Sequence, residues 1–482
     1  MVERSDQATT AVVAAGHPGT AAAMAEVLRI GGNAFDAAVA GGAAAAVAEP
    51  CLTSLAGGGF LAARWSDGRV EGHDGPTEAV VDFFVSAPGL GSPSGHDPSA
   101  LVPAPVDFGG AVQDFHVGPA SVAVPGVLAG YLHVLERWGR LDPAEVFAPA
   151  VTLAREGVLV EEPLARLLSL LEPILARTDT GRDLFFRHER PLRSGERLTN
   201  PALGQFLEDV AAGARSGFRA DELGGGISEA DLREYQVFER EPLVAPHLGG
   251  ELFVNPAPSF GGRLVAAGLD LLAERPPFDP TDPQRVVELV EALVLMAELR
   301  DDLAGSTSGT THLGVIDREG TAVSMTTSNG SGSGEFAPGL GVQLNNMMGE
   351  EDLHPRGFGS LPPGRRVSSM MAPGLLVTPG RTVAVGSGGS ERIRAVILQM
   401  VLRLLDDGEP LAGAVEAPRL HWDGSVLQVE PGWPEDVLDV LASRWPVRRW
   451  VGQDLYFGGA NLVSSVGEVA GDPRRGGVGL VL

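Results

Sequence analysis

Between residues 305 and 390 the chain concentrates glycine together with hydroxyl and amide side chains. Gly309-Thr310-Thr311-His312 comes first, followed by Ser328-Asn329-Gly330, Asn345-Asn346, Ser368-Ser369-Met370 and Gly386-Ser387-Gly388-Gly389-Ser390. These residue types suit acyl transfer. A hydroxyl attacks a carbonyl once a base takes its proton, and backbone N–H groups of a glycine-rich turn can hold the oxyanion that forms. Taken singly, each fragment also has an ordinary reading. A Thr-Thr pair reflects strand propensity, and Gly-Ser-Gly-Gly or paired asparagines mark turns.

Composition removes several competing chemistries. All 36 basic residues are arginine. Without lysine there is no Walker A phosphate loop, no Schiff base for pyridoxal phosphate, and neither a kinase β3 lysine nor a Ser-x-x-Lys acylase centre. Cys51 is the single cysteine, which excludes an intrachain disulfide and a cysteine zinc site; after Glu49-Pro50 it reads as a small core residue. The ten histidines form no His-Glu-x-x-His, and no Gly-x-Ser-x-Gly occurs. No metal and no organic cofactor is expected. The net charge of −26 opposes phosphate backbones and anionic membranes, so no nucleic-acid or membrane partner is expected. The first residues lack a signal-peptide layout, and the Ala-rich run from Ala37 to Val47 is too short to cross a bilayer. A cytoplasmic location is expected.

The elements that must position these residues can be read from periodicity and punctuation. Residues 10–15 predict a buried strand, and 19–30 a helix ended by Gly31-Gly32-Asn33. Asp36 to about Val47 predicts a second helix, whose small side chains allow close packing. A strand at 60–65 leads to a hairpin turn at Asp67-Gly68. Residues 89–119 read as a long loop and 127–240 as mostly helical, with Leu141-Asp142-Pro143 as a start signal. A strand and then a turn fill 252–262, and two helices follow, the second over 283–300. From Ser306 strands dominate, at 312–317, 322–328, 374–378 and 382–386, before a helix at 391–406. Strands in both halves, separated by paired helices, predict a layered α+β or αββα fold.

In this order the fragments resemble the γ-glutamyltranspeptidase family of N-terminal-nucleophile hydrolases over nearly the whole chain. The early motifs are His17-Pro18, Gly31-Gly32-Asn33-Ala34-x-Asp36-Ala37-Ala38-Val39, Glu49-Pro50 and Gly57-Gly58-Gly59-Phe60. Ala123-Val124-Pro125-Gly126, Leu153-Ala154-Arg155-Glu156-Gly157 and the turn at 256–262 continue the series. The resemblance implies an α+β fold, a four-layer αββα sandwich, and a precursor that cuts itself between Gly309 and Thr310. Residues 1–309 would form a large subunit and 310–482 a small one, sharing one core. Thr310 would be the nucleophile. Its freed α-amine, with an ordinary pKa of about 7.7–8.0, can take the hydroxyl proton as general base. Gly309 permits the strained peptide that an N-to-O acyl shift needs. Ser328 falls where the family has a supporting threonine. The oxyanion donors align as Gly389 and Ser390, with Gly388-Gly389 the competing pair.

The substrate side departs from the family. There an arginine and two serines grip a γ-glutamyl α-carboxylate. The serines fall on Ser368 and Ser369, but the arginine position holds Phe84, within Phe84-Val85-Ser86-Ala87-Pro88. Of the family's Asn, Gln and Asp around the α-amino group, the first two fall on Gly330 and Met347 and the third on Glu350, with Glu351 and Asp352 adjacent; Asn329 is one position from the lost Asn. Removing one partner of a buried charge pair costs about 2–5 kcal/mol. The expectation is therefore intact catalysis and poor glutathione turnover, unless Arg64, Arg69, Arg365 or Arg366 turns into the pocket. The expected partners are a small acyl-amino substrate and water or an acceptor amine. Two other readings stand beside this one. A specialised homologue would cleave another amide or a C–C bond, as in proline-derivative biosynthesis. A non-catalytic binding protein on the same scaffold would predict a damaged nucleophile, whereas Thr310, Ser368, Ser369 and the glycine turn are all present.

Overall fold

A computed structural model describes residues 10–66, 77–91, 97–107, 112–301, 309–354 and 356–482. The turn expected at Asp67-Gly68, and Arg69, lie outside the described residues. The strands that build the core are, in chain order, β1 (Val12–Ala15), β2 (Gly58–Arg64), β3 (Glu78–Phe83), β4 (Phe238–Arg240), β5 (Leu243–His247) and β6 (Gly250–Val254). They continue with β7 (Thr311–Ile316), β8 (Ala322–Ser328), β9 (Gly374–Thr378), β10 (Arg381–Val385), β11 (Leu462–Ser464), β12 (Val469–Ala470) and β13 (Val478–Val481). One sheet has the order β4-β3-β2-β8-β7-β1-β13 and the other β5-β6-β9-β10-β11-β12.

Strand alternation explains how the sheets stack. Val12 and Ala14 join Ala62, Val80, Ile316 and Ala322 of the first sheet, and Leu375, Ala384 and Val463 of the second, in one apolar layer between the sheets. The intervening Val13 and Ala15, with Leu61, Ala63, Val81 and Val323, face the other way, as a period of two requires. That outer face is covered by α1 (Pro18–Arg29), α2 (Ala34–Ala48) and α3 (Val127–Trp138). The second sheet turns Leu252, Val254, Leu376 and Val383 toward α4 (Gly261–Leu272), α5 (Pro283–Asp301) and α6 (Arg392–Leu405). The result is the αββα layering expected from the sequence.

Helix α2 shows why its composition is so small. Every one of its 15 residues is buried, which only a helix rich in alanine and glycine can manage between a sheet and three further helices. It starts at a capping box. The Asn33 side chain accepts from the Asp36 N–H, and the Asp36 carboxylate accepts from the Asn33 N–H, two helix-end donors satisfied reciprocally. Cys51 lies just beyond, buried, its thiol pushed up to about 12 by burial.

The segment read as a long loop is partly a hairpin. Val102–Asp107 pairs antiparallel with Val112–Val117. Ala104 and Val106 are buried while Pro103 and Pro105 are exposed. Prolines at alternate positions are compatible with a two-stranded ribbon, because alternate N–H groups point away from the partner strand.

Candidate active site

Thr310 sits immediately before β7, in the middle of the first sheet, and is only 2% exposed. The β7–β8 register pairs Thr311 with Thr327, so one further step sets Thr310 beside Ser328. The Ser328 hydroxyl donates to the Gly309 carbonyl oxygen and accepts from the Gly330 N–H at 3.0 Å. Gly309 in turn donates its N–H to the Gly330 carbonyl at 3.1 Å. The peptide expected to be cut is thus held on both sides by the Ser328–Gly330 corner. Space, rather than a left-handed backbone, demands glycine at 309. A Cβ there would lie 2.6 Å from the Cys51 carbonyl oxygen and 2.7 Å from that of Gly330.

The glycine turn 386–390 arrives from the second sheet. Gly388 packs flat on the Thr310 carbonyl, where a Cβ would stand 2.1 Å from the oxygen. Gly389 and Ser390 follow with φ of +120° and +61°. Their carbonyls accept from Arg392 and Ile393 and so start α6. A serine in the left-handed region carries strain of order 1–3 kcal/mol that surrounding structure must impose. Ser390 lines the same small cavity as Thr310, at a helix N-terminus that favours developing negative charge. Of the expected oxyanion donors, Ser390 lines the cavity, and Gly388 and Gly389 precede it in the same turn.

The cavity beside Thr310 is walled by Phe84, Ser328, Met347, Leu353, Ser369, Met370, Met371, Ser390 and Ile393. Phe84 is 1% exposed and stacks on Phe60 with centroids 5.5 Å apart. The Ser369 hydroxyl accepts from the Met371 N–H. Of the substrate residues expected from sequence, Phe84, Met347 and Ser369 therefore gather at Thr310. Ser368, Asn329 and Glu350 are not among the lining groups. The Ser368 hydroxyl donates to the Leu353 carbonyl, and the Asn329 amide is turned to Gln343. Glu350 is buried behind Gly330, where it accepts from the Ser331 N–H at 3.1 Å and the Ser331 hydroxyl at 3.2 Å. Burial pushes its carboxyl up to about 7, and the hydrogen bonds from Ser331 and Asn346 only partly oppose this.

None of the described candidate arginines turns in. Arg64 pairs with Glu78, and Arg365 is exposed. Arg366 is fixed between the Asp82 carboxylate (3.2 Å), the Phe84 carbonyl (2.5 Å) and the Gln236 carbonyl (2.6 Å), beneath the Tyr235 ring. Arg240 takes the other oxygen of Asp82 at 2.7 Å. Sequence reasoning passed over two charged groups that do approach Thr310. Arg475, 165 positions away, reaches its carbonyl at 3.4 Å, and Glu49 accepts from the Thr311 hydroxyl at 2.6 Å. Glu49 belonged to a recognised motif without an assigned role, and nothing in the local pattern around Arg475 signals one.

Two antiparallel sheets between helical layers, with a buried threonine heading a central strand, make this an α+β fold of the N-terminal-nucleophile hydrolase type. The crystal structure of cephalosporin acylase from Bacillus halodurans has the same fold, with a TM-score of 0.81 at 22% identity, covering 98% of this chain and 96% of that one. A family model described as Gamma-glutamyltranspeptidase matches residues 20–307 and 304–482. The Acylase ACY 1 proenzyme of Pseudomonas sp. (strain V22) is 32% identical over 494 residues, spanning 90% of this chain and 86% of that protein. The Glutathione hydrolase proenzyme of Escherichia coli (strain K12) is 28% identical over 496 residues, spanning 87% and 82%. The chain belongs to the γ-glutamyltranspeptidase family.

Proposed function

We propose that this chain cuts itself between Gly309 and Thr310 and that the exposed Thr310 then works as an acylase, removing or transferring an acyl group of apolar character from an amide. In the first reaction the Thr310 Oγ attacks the Gly309 carbonyl carbon, and the C–N bond breaks as the hydroxyl proton passes to the departing amine. Water hydrolyses the resulting ester. The Ser328 hydroxyl, already on the Gly309 carbonyl oxygen, supports this step by donating to the oxygen as it becomes negative. In turnover the freed α-amine takes the Oγ proton, Oγ attacks the substrate carbonyl, and the leaving amine receives that proton. Water, or an acceptor amine, then releases the acyl group from Thr310.

The observation that carries the substrate assignment is the wall of the cavity. Phe84, Met347, Met370, Met371 and Ile393 stand around Thr310, while Arg366, the guanidinium bound to the Phe84 carbonyl, is committed to Asp82. Such walls suit an aliphatic or aromatic acyl chain and leave an α-carboxylate unpaired. The likeness to a relative named as an acylase supports the same reading. The test is a panel of anilides carrying γ-glutamyl, glutaryl, hexanoyl and phenylacetyl groups, with the acyl adduct on the small subunit read by mass spectrometry. The best apolar acyl group is expected to exceed γ-glutamyl by about 30-fold or more in kcat/KM, the equivalent of 2 kcal/mol of lost ion pairing. Robust glutathione turnover with weak turnover of every apolar anilide would overturn it.

A further inference from the structure

A second set of charged groups lies against the backbone of Thr310 and Thr311. The Arg475 guanidinium donates through Nη1 to the Thr310 carbonyl (3.4 Å) and through Nη2 to the Leu455 carbonyl (3.2 Å), while its buried Nε has no partner. The same guanidinium touches the glycine turn. A Cβ on Gly388 would lie 3.3 Å from Nη1, and one on Gly389 would lie 3.2 Å from Nη2. Arg475 therefore spans the nucleophile's own carbonyl and the turn that faces it.

We propose that Arg475 is a positioning residue that sets the protonation of the Thr310 α-amine, its fixed charge holding the amine in the neutral, basic form near neutral pH. This inference rests on cleavage before Thr310 and deepens it. The amine and the carbonyl belong to one residue, so the guanidinium is roughly 4–7 Å from the amine nitrogen by standard backbone dimensions. An ordinary α-amine, with a pKa of about 7.7–8.0, is mostly protonated at pH 7, so only its minor neutral fraction can accept the Oγ proton. A cation at that range disfavours the protonated amine by about half a unit to two units, depending on the local dielectric.

The other charges around Thr310 do not cancel this one. Glu49 is the opposing group, but burial raises its carboxyl, which weakens it as a counter-charge, although the Thr311 and Thr20 hydroxyls and the charge of Arg475 partly oppose that rise. Asp472 is divided between Arg419 at 2.5 Å and Arg474 at 3.3 Å. Arg392, at the head of α6, adds a like charge beside Arg475. Glu350 lies beyond Gly330 and is held by Ser331. Glu391 is buried next to Ser390. His17 lies beside Glu49; its Nδ1 accepts from the Gly19 N–H. Burial, with Arg392, pushes Arg475 down only to about 10, so it stays charged while the amine titrates.

The absence of lysine makes the test unusually direct. After cleavage the aliphatic amines of this sequence are the α-amines of its two chains. Reductive methylation with ¹³C-formaldehyde then labels two amines, and NMR titrates each. The Thr310 signal is identified by its loss in uncleaved Thr310→Ala. In Arg475→Met the Thr310 titration and the acid limb of kcat/KM should both rise by about half a unit to two units. Arg475→Lys should restore both toward wild type. If Arg475→Met does not cleave, Arg475→His can be cleaved near pH 5.5, where imidazole is charged, and titrated above about pH 6.5, where it is neutral; the same upward shift is expected. A slower enzyme with an unmoved Thr310 titration overturns the proposal. A wild-type protein showing one amine signal instead defeats the cleavage reading beneath it.

Discussion

Replacing Ser328 with alanine tests the geometry of self-cleavage. The side chain is fully buried at the end of β8, where its hydroxyl donates to the Gly309 carbonyl and accepts from the Gly330 N–H. Two separable losses follow. As Thr310 Oγ attacks, the Gly309 oxygen gains negative charge and the hydroxyl donor matters more. One such donor is worth about 2.7–4 kcal/mol in the transition state, or about 10²–10³ in rate. Independently, the Gly330 N–H is left buried without its acceptor, at about 1–3 kcal/mol of folding stability. That is a fraction of the ~5–15 kcal/mol typical of a folded protein, so the precursor should still fold. Freshly purified Ser328→Ala should therefore persist as one band on a denaturing gel for about 10²–10³ times longer than wild type, with a modestly lower melting temperature. Ser328→Thr keeps the hydroxyl and should recover most of the cleavage rate. If Ser328→Ala cuts itself as fast as wild type while melting lower, the hydroxyl only braces the corner and the proposed role in cleavage is refuted.

Phe84→Arg should not create a γ-glutamyl site. Asp82, the nearby buried carboxylate, is already shared by Arg240 and Arg366, so the new cation would be buried unpaired at a cost of about 3–5 kcal/mol. Thermal denaturation would register the loss, and a stable variant that turns over γ-glutamyl anilides would contradict it. Glu350 should make stability pH-dependent. Its folded carboxyl lies at about 7 against an ordinary 4.5, so the folded state binds more protons between those values. Its contribution is fully present below about pH 4.5 and is lost as pH rises toward 7, with a ceiling of about 3 kcal/mol. Urea unfolding of wild type and Glu350→Gln at pH 5 and 7.5 isolates the effect, and parallel pH dependence in the two proteins would rule it out.

The sequence alone determined what is local. Strands at 322–328 and 374–378 were legible because alternation and turn residues delimit them, and the structure places them there. The Ala-rich run announced α2 because only small residues tolerate burial on every side. Thr310 was legible through ordered motifs, each weak by itself. Prolines hid the 102–117 hairpin, since their punctuation outweighed the alternation beneath. Tertiary structure decided the rest. Ser368 and Ser369 are neighbours, yet only Ser369 reaches the cavity, because successive extended residues point opposite ways and a bridge to Ser259 fixes which one turns inward. Whether Arg366 could serve the pocket depended on Asp82, 284 positions earlier. The charge beside Thr310 comes from Arg475 near the other end of the chain. Periodicity and backbone preference are written along the chain. The field at a nucleophile is set by whichever distant groups the fold carries within a few ångströms, and Coulomb forces act across space without regard to sequence separation.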